Sequence, residues 1–308
     1  MARVVVTEFM DGPAVAQLAA AHDVLYDAAL VDDPERLQSE AAGADAIVVR
    51  NRTQVRGGLL AALRRCRVVG RLGVGLDNID LPGCAARGIQ VIPATGANAL
   101  SVAEYVLGTA MLLLRGAYQS SAAVAAGQWP RNALSKGREI GGKTLGLVGF
   151  GSIGQLTASL ARPLGMKVLA YDAMMASSHP AFAQAGVRCC SLDELVAEAD
   201  VVSLHVPLVD GTRGLFDAAR LAAMKPGAVL INTARGEIVD ELALAEALRS
   251  GRLGGAAIDV FGVEPLPASA HFDALPNLVL TPHVAGVTAE ANERVSSLIA
   301  QRVLEALQ

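Results

Sequence analysis

Cysteine is scarce in this sequence, and the four cysteines are not arranged to bind a metal or to form a disulfide framework. Cys66, Cys84, Cys189 and Cys190 include no C-x-x-C pair, and none has a histidine partner at zinc-finger spacing. We therefore expect no metal, and a reducing compartment, which is the cytoplasm.

Long apolar runs are also missing. The most apolar stretch, 102–114, contains Glu104 and is followed by Arg115, so it falls short of the roughly 20 apolar residues that cross a bilayer. Near the N-terminus, the apolar triplet 4–6 is followed too soon by Glu8 for the core of a signal peptide. The sequence therefore predicts no membrane partner and no secretion.

Neither sign of charge dominates the sequence. It contains 26 Lys and Arg against 30 Asp and Glu, and no block of like charge forms a basic face or a solvated tail. We therefore expect no nucleic-acid partner. With 308 residues, of which 52% are hydrophobic, the chain can instead build two cores of about 100 to 200 residues each.

Short β-branched runs alternate with Ala- and Leu-rich stretches of helical period along most of the chain. They form one series before residue 100 and a second series after residue 143. The runs lie at 4–6, 46–49, 68–70 and 90–92, and then at 145–148, 167–171, 201–204, 228–232, 256–259 and 278–280. Such alternation is typical of parallel sheets covered by helices. The predicted fold class is α/β, with two doubly wound parallel-sheet domains.

Two helical segments decide how the domains are connected. A predicted helix at 101–115 lies between the two series, and a polar arm follows it. The last segment, 288–307, has helical period and no further strand, so it can return to cover the first domain. The predicted domains are 1–99 with 286–308, which is discontinuous, and 100–285.

A glycine-rich turn stands at the start of the second series. Gly149, Gly151 and Gly154 follow the predicted strand 145–148 and open a helical pattern at 155–164. In this context the glycines provide a tight turn, a bare backbone beside a pyrophosphate, and close packing of the helix on the strand. The helix N-terminus then faces the phosphates. A turn without a ligand is the alternative, which the strand-turn-helix context disfavours.

An acidic residue stands where the ribose of a dinucleotide is expected. Asp172 follows the predicted strand 167–171 and lies 18 positions after Gly154. A carboxylate there accepts hydrogen bonds from the ribose hydroxyls and repels a 2′-phosphate. Residues 173–175 contain no Arg or Lys that could pair with a phosphate. NAD is therefore favoured over NADP, and a simple turn cap is the alternative role for Asp172.

Three polar residues follow late strands of the second series. Arg235, Glu264 and His283 each stand a few residues after a predicted strand. Ligands of open α/β sheets bind at the carboxyl ends of the strands. Taken singly, these residues have ordinary alternatives, namely a surface cation, a loop acid and a helix-entry residue. Together they match an acid/base site.

Four segments carry more information than any single residue. They are 149–154 (GFGSIG), 232–236 (NTARG), 259–265 (DVFGVEP) and 281–283 (TPH). In this order and spacing they resemble the D-isomer-specific 2-hydroxyacid dehydrogenase family, in its phosphoglycerate-dehydrogenase branch, and the resemblance covers essentially the whole chain. It implies a Rossmann cofactor domain and a flavodoxin-like substrate domain with a cleft between them.

The resemblance implies three catalytic residues. Protonated His283 gives a proton to the carbonyl oxygen of a 2-keto acid as hydride reaches C2, and the neutral ring removes that proton in the reverse direction. Glu264 orients the ring and stabilises the imidazolium, while Arg235 holds the carboxylate and polarises the carbonyl. A formate-dehydrogenase relative is expected to carry an amide in place of Glu264, so this glutamate favours a hydroxy acid.

The resemblance also implies which residues contact NAD and the substrate. In the first domain, the bare amides of Gly73 to Gly75 can receive a carboxylate. The cofactor contacts carried over are Val74, Gly149, Gly151, Ser152, Ile153, Gly154, Asp172, His205, Val206, Pro207, Thr233, Ala234, Arg235, Asp259, His283, Ala285 and Gly286. The substrate contacts carried over are Arg50, Gly73, Val74, Gly75, Asn98, Arg235 and His283.

Arg50 indicates which class of 2-hydroxy acid is the substrate. It follows the predicted strand 46–49 and matches an arginine that contacts substrate in phosphoglycerate-type relatives, so it can bind an anionic C3 substituent. Segments 8–11 and 49–53 are also similar to those of sulfolactate dehydrogenases, whose substrate carries a sulfonate. Sulfolactate, 3-phosphoglycerate and tartronate-like acids all stay open, and a surface salt bridge is the alternative role for Arg50.

Two other functions have to be weighed against this hypothesis. A hydroxypyruvate or glyoxylate reductase would use the same catalytic residues. A non-enzymatic NAD-sensing protein, as in corepressor relatives, would need a partner-binding surface beyond a minimal core. The retention of Arg235, Glu264 and His283 favours an NAD-dependent dehydrogenase of a small 2-hydroxy or 2-keto acid. The resemblance also implies a homodimer, with the arm 119–137 reaching the partner and Trp129 as an anchor.

Overall fold

The computed structural model describes residues 1–268, 271–275 and 277–308. The strands are β1 (Arg3–Val6), β2 (Asp23–Tyr26), β3 (Ala46–Val49), β4 (Val68–Arg71), β5 (Gln90–Pro93), β6 (Thr144–Val148), β7 (Lys167–Tyr171), β8 (Arg188–Cys189), β9 (Val201–Leu204), β10 (Val229–Asn232), β11 (Gly255–Ile258) and β12 (Leu278–Leu280). The α-helices are α1 (Gly12–Ala19), α2 (Pro34–Ala41), α3 (Gly57–Ala62), α4 (Leu81–Ala86), α5 (Ala99–Arg115), α6 (Ser121–Ala125), α7 (Arg131–Leu134), α8 (Ser152–Ala161), α9 (Pro180–Ala185), α10 (Leu192–Glu198), α11 (Ala218–Ala223), α12 (Glu241–Arg249) and α13 (Ala289–Leu307).

The chain divides into two compact units, each with its own sheet. The first unit contains residues 1–98 and 287–308, and the second contains residues 99–286. The sheets have five and seven strands, and every pairing within them is parallel. The predicted α/β fold with two parallel-sheet domains is confirmed.

The first unit has the strand order β2-β1-β3-β4-β5, which is the flavodoxin-like order. Its central strands are continuous apolar runs because helices cover both faces of a parallel sheet. Alternate residues of β3 belong to two separate buried clusters: Ile47 and Val49 pack in one, and Ala46 and Val48 in the other. The two faces of the sheet therefore have separate cores.

The last helix, α13, completes one of these cores. Thr288 caps its N-terminus, since the side-chain oxygen accepts a hydrogen bond from the Ala291 N–H at 3.1 Å. Ile299 and Val303 are fully buried and pack in the same cluster as Val48 of the sheet. The C-terminal segment thus belongs to the first unit although more than 180 residues separate it from the rest of that unit.

The second unit has the strand order β12-β11-β10-β9-β6-β7-β8. Counted from β6, this is the doubly wound dinucleotide-binding order with one further strand at the β12 edge. Helices α5 and α8 pack together over one face, where Val106 and Ala158 meet Leu145 and Leu147 of β6. The order in which successive strands are added to the sheet reverses between β6 and β9, since β7 and β8 lie on one side of β6 and the later strands on the other. Ligands are expected at the carboxyl ends of these two strands.

Two strands at sheet edges are absent from the sequence-based prediction. β2 contains only exposed and half-buried residues, and β8 has two residues. Neither carries the buried apolar run by which the inner strands are recognised. The sheets therefore have five and seven strands instead of the predicted four and six.

Features that would indicate a membrane span or a metal centre are not found in the described part of the chain. No helix there is long and apolar enough to cross a membrane, and no group of three His, Cys, Asp or Glu side chains is arranged to hold a metal ion. All four cysteines are unpaired. Burial raises the pKa of the Cys66 thiol to about 11, so this residue is a packing residue and not a nucleophile.

The packing of α13 on β4 leads to a stability prediction at Gly70. A Cβ added there would lie 2.8 Å from Ile299 Cγ2 and 2.9 Å from Val303 Cγ2. We expect Gly70→Ala to lower the free energy of unfolding by about 1–3 kcal/mol because a well-packed core does not accept an extra methyl group. Urea denaturation followed by circular dichroism measures the change.

Gly108→Ala is the matched control. Gly108 lies within α5, and a Cβ there meets nothing within 4 Å. Alanine should raise the free energy of unfolding by roughly 0.5–1 kcal/mol because it loses less backbone entropy than glycine. Equal effects of the two substitutions would contradict the packing of α13 against β4.

Candidate active site

The glycine turn between β6 and α8 is shaped by two close backbone approaches. Gly149 has a φ of 100°, and a Cβ there would lie 2.7 Å from the carbonyl oxygen of His205. A Cβ on Gly154 would overlap the carbonyl oxygen of Gly149. Only glycine therefore fits at these two positions, in agreement with the tight turn and helix packing expected of them.

Gly151 differs from the other two glycines because it faces open space. It is the N-cap of α8 with an extended backbone, and nothing described lies within 4 Å of the place of a Cβ. Ser152 is exposed and Ile153 is half-buried in the first turn of the helix. The exposed N–H groups of this turn can receive the pyrophosphate of a dinucleotide.

Asp172 follows β7 and is tied to the glycine turn. Its Oδ2 accepts a hydrogen bond from the Phe150 N–H at 2.8 Å, and its Oδ1 accepts one from the Met174 N–H at 2.8 Å. The carboxylate is half-buried, and each oxygen keeps a second lone pair. Asp172 is therefore a turn-forming residue that can also accept hydrogen bonds from ribose hydroxyls.

Two buried polar atoms at the ends of neighbouring strands have no hydrogen-bond partner among the described residues. They are Nε2 of His205, after β9, and Oγ1 of Thr233, after β10. Burial lowers the pKa of His205 to about 4, so its ring is neutral near pH 7. Buried polar atoms are normally paired, and a dinucleotide along this edge of the sheet offers such partners. The side chains present thus fit the predicted cofactor, and Val206 and Pro207 continue the same edge.

The loop that carries Arg235 is fixed by Asn232 at the end of β10. The buried Asn232 side chain donates from Nδ2 to the Arg235 carbonyl at 2.8 Å and accepts from the Ala234 N–H at 3.0 Å. A Cβ on Gly236 would overlap the backbone of Phe261. Glycine therefore lets the Arg235 loop lie directly against the loop that leads to Glu264.

Glu264 and His283 form a direct contact. Glu264 Oε2 lies 2.7 Å from His283 Nδ1, while the other oxygen, Oε1, accepts a hydrogen bond from the Phe261 N–H at 2.9 Å. The two side chains are 34% and 40% exposed, so the pair is accessible to a ligand. Because Nδ1 is engaged by the carboxylate, Nε2 is the ring nitrogen that can exchange a proton with a bound substrate.

His283 has an unusual backbone that is held by Asp259. Its φ is 55°, a region that side-chain-bearing residues rarely adopt. The buried Asp259 carboxylate accepts hydrogen bonds from the N–H groups of Val284 (2.8 Å) and Ala285 (2.9 Å), and the His283 N–H donates to the Asp259 carbonyl at 2.8 Å. Asp259 is 1% exposed, so its observed role is to shape the turn, and its contact with the cofactor stays a prediction.

A short chain of hydroxyl groups continues from Asp259. Thr281 Oγ1 donates to Asp259 Oδ1 at 2.6 Å, and the Tyr105 hydroxyl on α5 lies 2.7 Å from Thr281 Oγ1. Burial raises the pKa of Tyr105, so its hydroxyl stays protonated. The chain ties the last strand of the sheet to α5 below the His283 turn.

In the first unit, the loop after β3 carries Arg50 and is held from two sides. The buried Glu8 carboxylate accepts hydrogen bonds from the N–H groups of Arg50 (2.8 Å), Arg52 (3.1 Å) and Thr53 (3.0 Å). The buried Asn78 side chain donates to the Arg50 carbonyl at 2.9 Å and to the Thr53 carbonyl at 2.7 Å. These five hydrogen bonds hold the backbone of the loop, so the backbone position of Arg50 is well defined.

The glycine segment after β4 lies next to this loop in the first unit. Gly73 has a φ of 154°, and a Cβ there would overlap the Arg71 guanidinium. Val74 is 37% exposed, and Gly75 is half-buried. Asn98, the last residue of this part of the unit, has a buried Oδ1 with no hydrogen-bond partner among the described residues. The buried Gly73 already donates its N–H to the Arg71 carbonyl at 2.8 Å. The polar groups that a ligand could meet here are therefore the N–H groups of Val74 and Gly75 and the amide of Asn98.

Several residues that shape the site are not singled out from the sequence as site residues. They are Asn232 and Tyr105 in the second unit, and Glu8, Asn78 and Asn292 in the first. Asn232 lies inside a recognised motif, which is a signal that could have identified it. The others act through contacts between distant parts of the sequence.

Comparisons with known proteins show the family of this chain. Residues 107–285 match the family described as D-isomer specific 2-hydroxyacid dehydrogenase, NAD binding domain. The chain is 53% identical to the (S)-sulfolactate dehydrogenase of Chromohalobacter salexigens over 307 residues, which cover 100% of this chain and 99% of that protein. It is 43% identical to the D-3-phosphoglycerate dehydrogenase of Mycobacterium leprae over 279 residues, which cover 90% of this chain but only 52% of that protein.

A solved structure has the same fold. The TT0316 protein from Thermus thermophilus superposes with a TM-score of 0.89 at 35% identity, over 99% of this chain and 96% of that one. The matched family segment contains the glycine turn, the Arg235 loop and the Glu264–His283 pair. The chain therefore belongs to the D-isomer-specific 2-hydroxyacid dehydrogenase family and is an NAD-dependent oxidoreductase.

Proposed function

We propose that this dehydrogenase interconverts a 2-hydroxy acid and its 2-keto acid, and that the acid carries an anionic group on C3, of the sulfolactate or 3-phosphoglycerate type. The observation that carries the anionic part is the Arg50 guanidinium, which stands on a rigid loop of the first unit. The name of the similar Chromohalobacter salexigens protein, (S)-sulfolactate dehydrogenase, supports the same substrate class.

The chemistry we propose is carried by His283. In the direction of reduction, the Nε2–H of the imidazolium donates a proton to the carbonyl oxygen, and in oxidation the neutral Nε2 removes it from the hydroxyl. Glu264, 2.7 Å from Nδ1, holds the ring and compensates its positive charge. NAD, when bound, accepts or supplies the hydride at C2 of the acid.

The carboxylate of the acid needs its own donors. We assign Arg235 to it because guanidinium binds carboxylate through two parallel hydrogen bonds. The N–H groups of Val74 and Gly75 are further donors, whereas that of Gly73 already donates to the Arg71 carbonyl, and Asn98 offers a side-chain amide. These assignments, like the cofactor contacts of Ala234, Asp259, Ala285 and Gly286, rest on the family resemblance and on the positions of the residues at the ends of strands.

We infer further that the enzyme works as a homodimer in the cytoplasm. No described residue of α6 or α7 is buried, and Trp129, between these helices, is 78% exposed. Val124 (43%) is exposed in the same arm, and Tyr118 (65%) is exposed directly before it. Exposed apolar side chains in one segment favour a contact with a second copy. The unpaired cysteines are compatible with a reducing compartment.

The first prediction from this proposal concerns substrate choice. With NADH, sulfopyruvate or phosphohydroxypyruvate should be reduced with a higher kcat/KM than hydroxypyruvate or glyoxylate. Arg50→Ala should lower kcat/KM for the anionic acids roughly 10- to 100-fold, because a hydrogen bond to a charged group contributes about 1.5–3 kcal/mol. Initial rates at 340 nm measure both effects.

Arg52→Ala is the matched control, since Arg52 lies in the same loop but is exposed and paired with Asp32. It should leave the preference for anionic acids unchanged. A wild type that prefers hydroxypyruvate or glyoxylate would make the protein a reductase of those acids. Turnover of none of them would favour an NAD-sensing binding protein.

A second prediction concerns Glu264. In Glu264→Gln the amide oxygen can keep the hydrogen bond from the Phe261 N–H, so the NH₂ group faces His283 Nδ1 and opposes the imidazolium. We expect kcat for reduction to fall on the order of 100-fold, at the lower end of what general acid/base catalysis contributes. NADH affinity, measured by fluorescence titration, should stay within about twofold.

Glu246→Gln is the control for Glu264. It removes one carboxylate charge on α12 from a residue whose partner is the exposed Arg249, at 3.1 Å. It should leave kcat unchanged. An unaltered kcat in Glu264→Gln would show that the 2.7 Å contact is not used in turnover.

A third prediction tests the dimer. Trp129→Glu should convert a dimer into a monomer in sedimentation velocity, because a charge replaces an aromatic side chain that the proposed dimer buries. Leu242→Glu, at another exposed apolar side chain of the same unit (67% exposed), should leave the sedimentation coefficient unchanged. A monomeric wild type at micromolar concentration would refute the dimer.

A further inference from the structure

Asn292, on the second turn of α13, is a polar residue that the family motifs do not include. Its Oδ1 accepts a hydrogen bond from Arg50 Nη2 at 2.9 Å. The two residues are 242 positions apart in the sequence, and both belong to the first unit. A side chain from the last helix thus holds the guanidinium to which the proposed function assigns the C3 anion.

The surroundings of Arg50 limit its side chain further. The Arg50 Cζ lies 5.8 Å from the centre of the Phe9 ring, within the range of a cation–π contact. Burial lowers the pKa of the Arg50 guanidinium and the Glu8 carboxylate opposes this, but arginine remains protonated. A fixed and partly desolvated cation results, and such a cation binds an anion more strongly than one that is fully solvated.

The partner of Arg50 matters as much as its position. Arg52, two residues along the same loop, is paired with the carboxylate of Asp32, which cancels its charge locally. The side-chain hydrogen-bond partner of Arg50 is instead a neutral amide, which orients the guanidinium without forming an ion pair with it. The Glu8 carboxylate is engaged by backbone N–H groups of the loop, including that of Arg50. The Oδ1 of Asn292 is occupied by Arg50, while its NH₂ group still has two hydrogens to donate.

We propose that Asn292 is a specificity-determining residue, which holds Arg50 by its oxygen and donates from its NH₂ group to a sulfonate or phosphate on C3 of the acid. The inference rests on the proposed function. It adds a second donor from α13, and it explains why the side chain that is hydrogen-bonded to the Arg50 guanidinium is neutral and not acidic. A sulfonate or phosphate has three outward oxygens and can accept from both residues at once.

The test compares wild type with Asn292→Ala, Asn292→Asp and Ser297→Asp. Ser297 is exposed on the same helix and adds the same charge away from Arg50. The measured quantity is the ratio of kcat/KM for sulfopyruvate to kcat/KM for hydroxypyruvate. The second readout is the rise in the thermal midpoint caused by sulfoacetate, a sulfonated acid that cannot be reduced.

We expect this ratio to be highest in wild type, lower in Asn292→Ala and lowest in Asn292→Asp. Alanine should lower it about three- to tenfold through the loss of one donor. Aspartate should lower it more than tenfold, mainly through KM for sulfopyruvate, because its carboxylate pairs with Arg50 and repels the sulfonate. Ser297→Asp should keep the wild-type ratio and the wild-type response to sulfoacetate.

The outcomes separate this inference from the proposed function. A wild type that prefers sulfopyruvate, with an unchanged ratio in Asn292→Asp, overturns the inference alone. A wild type that prefers hydroxypyruvate overturns the proposed function. In that case, or if no acid is turned over, the rise in the thermal midpoint with sulfoacetate tests Asn292. An equal rise in wild type and Asn292→Asp, or no rise in wild type, overturns the role of Asn292. A rise in wild type that is lost in Asn292→Asp supports it.

Discussion

The candidate active site depends on one buried carboxylate, that of Asp259 at the end of β11. Its two oxygens accept hydrogen bonds from the N–H groups of Val284 and Ala285 and from the Thr281 hydroxyl. A buried carboxylate is costly unless such donors surround it, and here they all come from the turn after β12. The bonds offset the cost of the left-handed backbone at His283. The direction in which the His283 ring points therefore follows from a residue that is itself inaccessible.

The first unit uses the same arrangement. Glu8, at the end of β1, accepts three N–H groups from the loop after β3, as Asp259 does for the turn after β12. In both cases an acidic residue after an inner strand fixes the loop after a neighbouring strand. The reason is general, because parallel strands end at one edge and their loops contain N–H groups that no sheet partner satisfies. The side chains of Asn232 and Asn78 supply the complementary donors to carbonyl groups.

The features of the fold and the site that depend on short segments can be predicted from the sequence. Gly149 and Gly154 are recognisable because the close approach of backbone admits no side chain, and the inner strands because they are buried on both faces. β2 and β8 escape prediction since neither contains a run of buried apolar residues. Asn292 escapes because its partner Arg50 is 242 positions away, and an asparagine in the second turn of a helix carries no local signal. The proximity of two such residues is a property of the packing of α13 and not of either segment.

The two arginines of the loop after β3 show why contacts between residues far apart in the sequence are important for function. Arg50 and Arg52 are the same residue type in one loop, and in the sequence only the family resemblance distinguishes Arg50. In the structure, Arg52 meets a carboxylate, whereas Arg50 meets an amide and an aromatic ring. A guanidinium in direct contact with a carboxylate attracts a further anion weakly, while one whose side-chain contacts are neutral attracts it more strongly, even with the Glu8 carboxylate nearby. The chemistry of the partner, more than the arginine itself, therefore determines which of the two can recognise an anion.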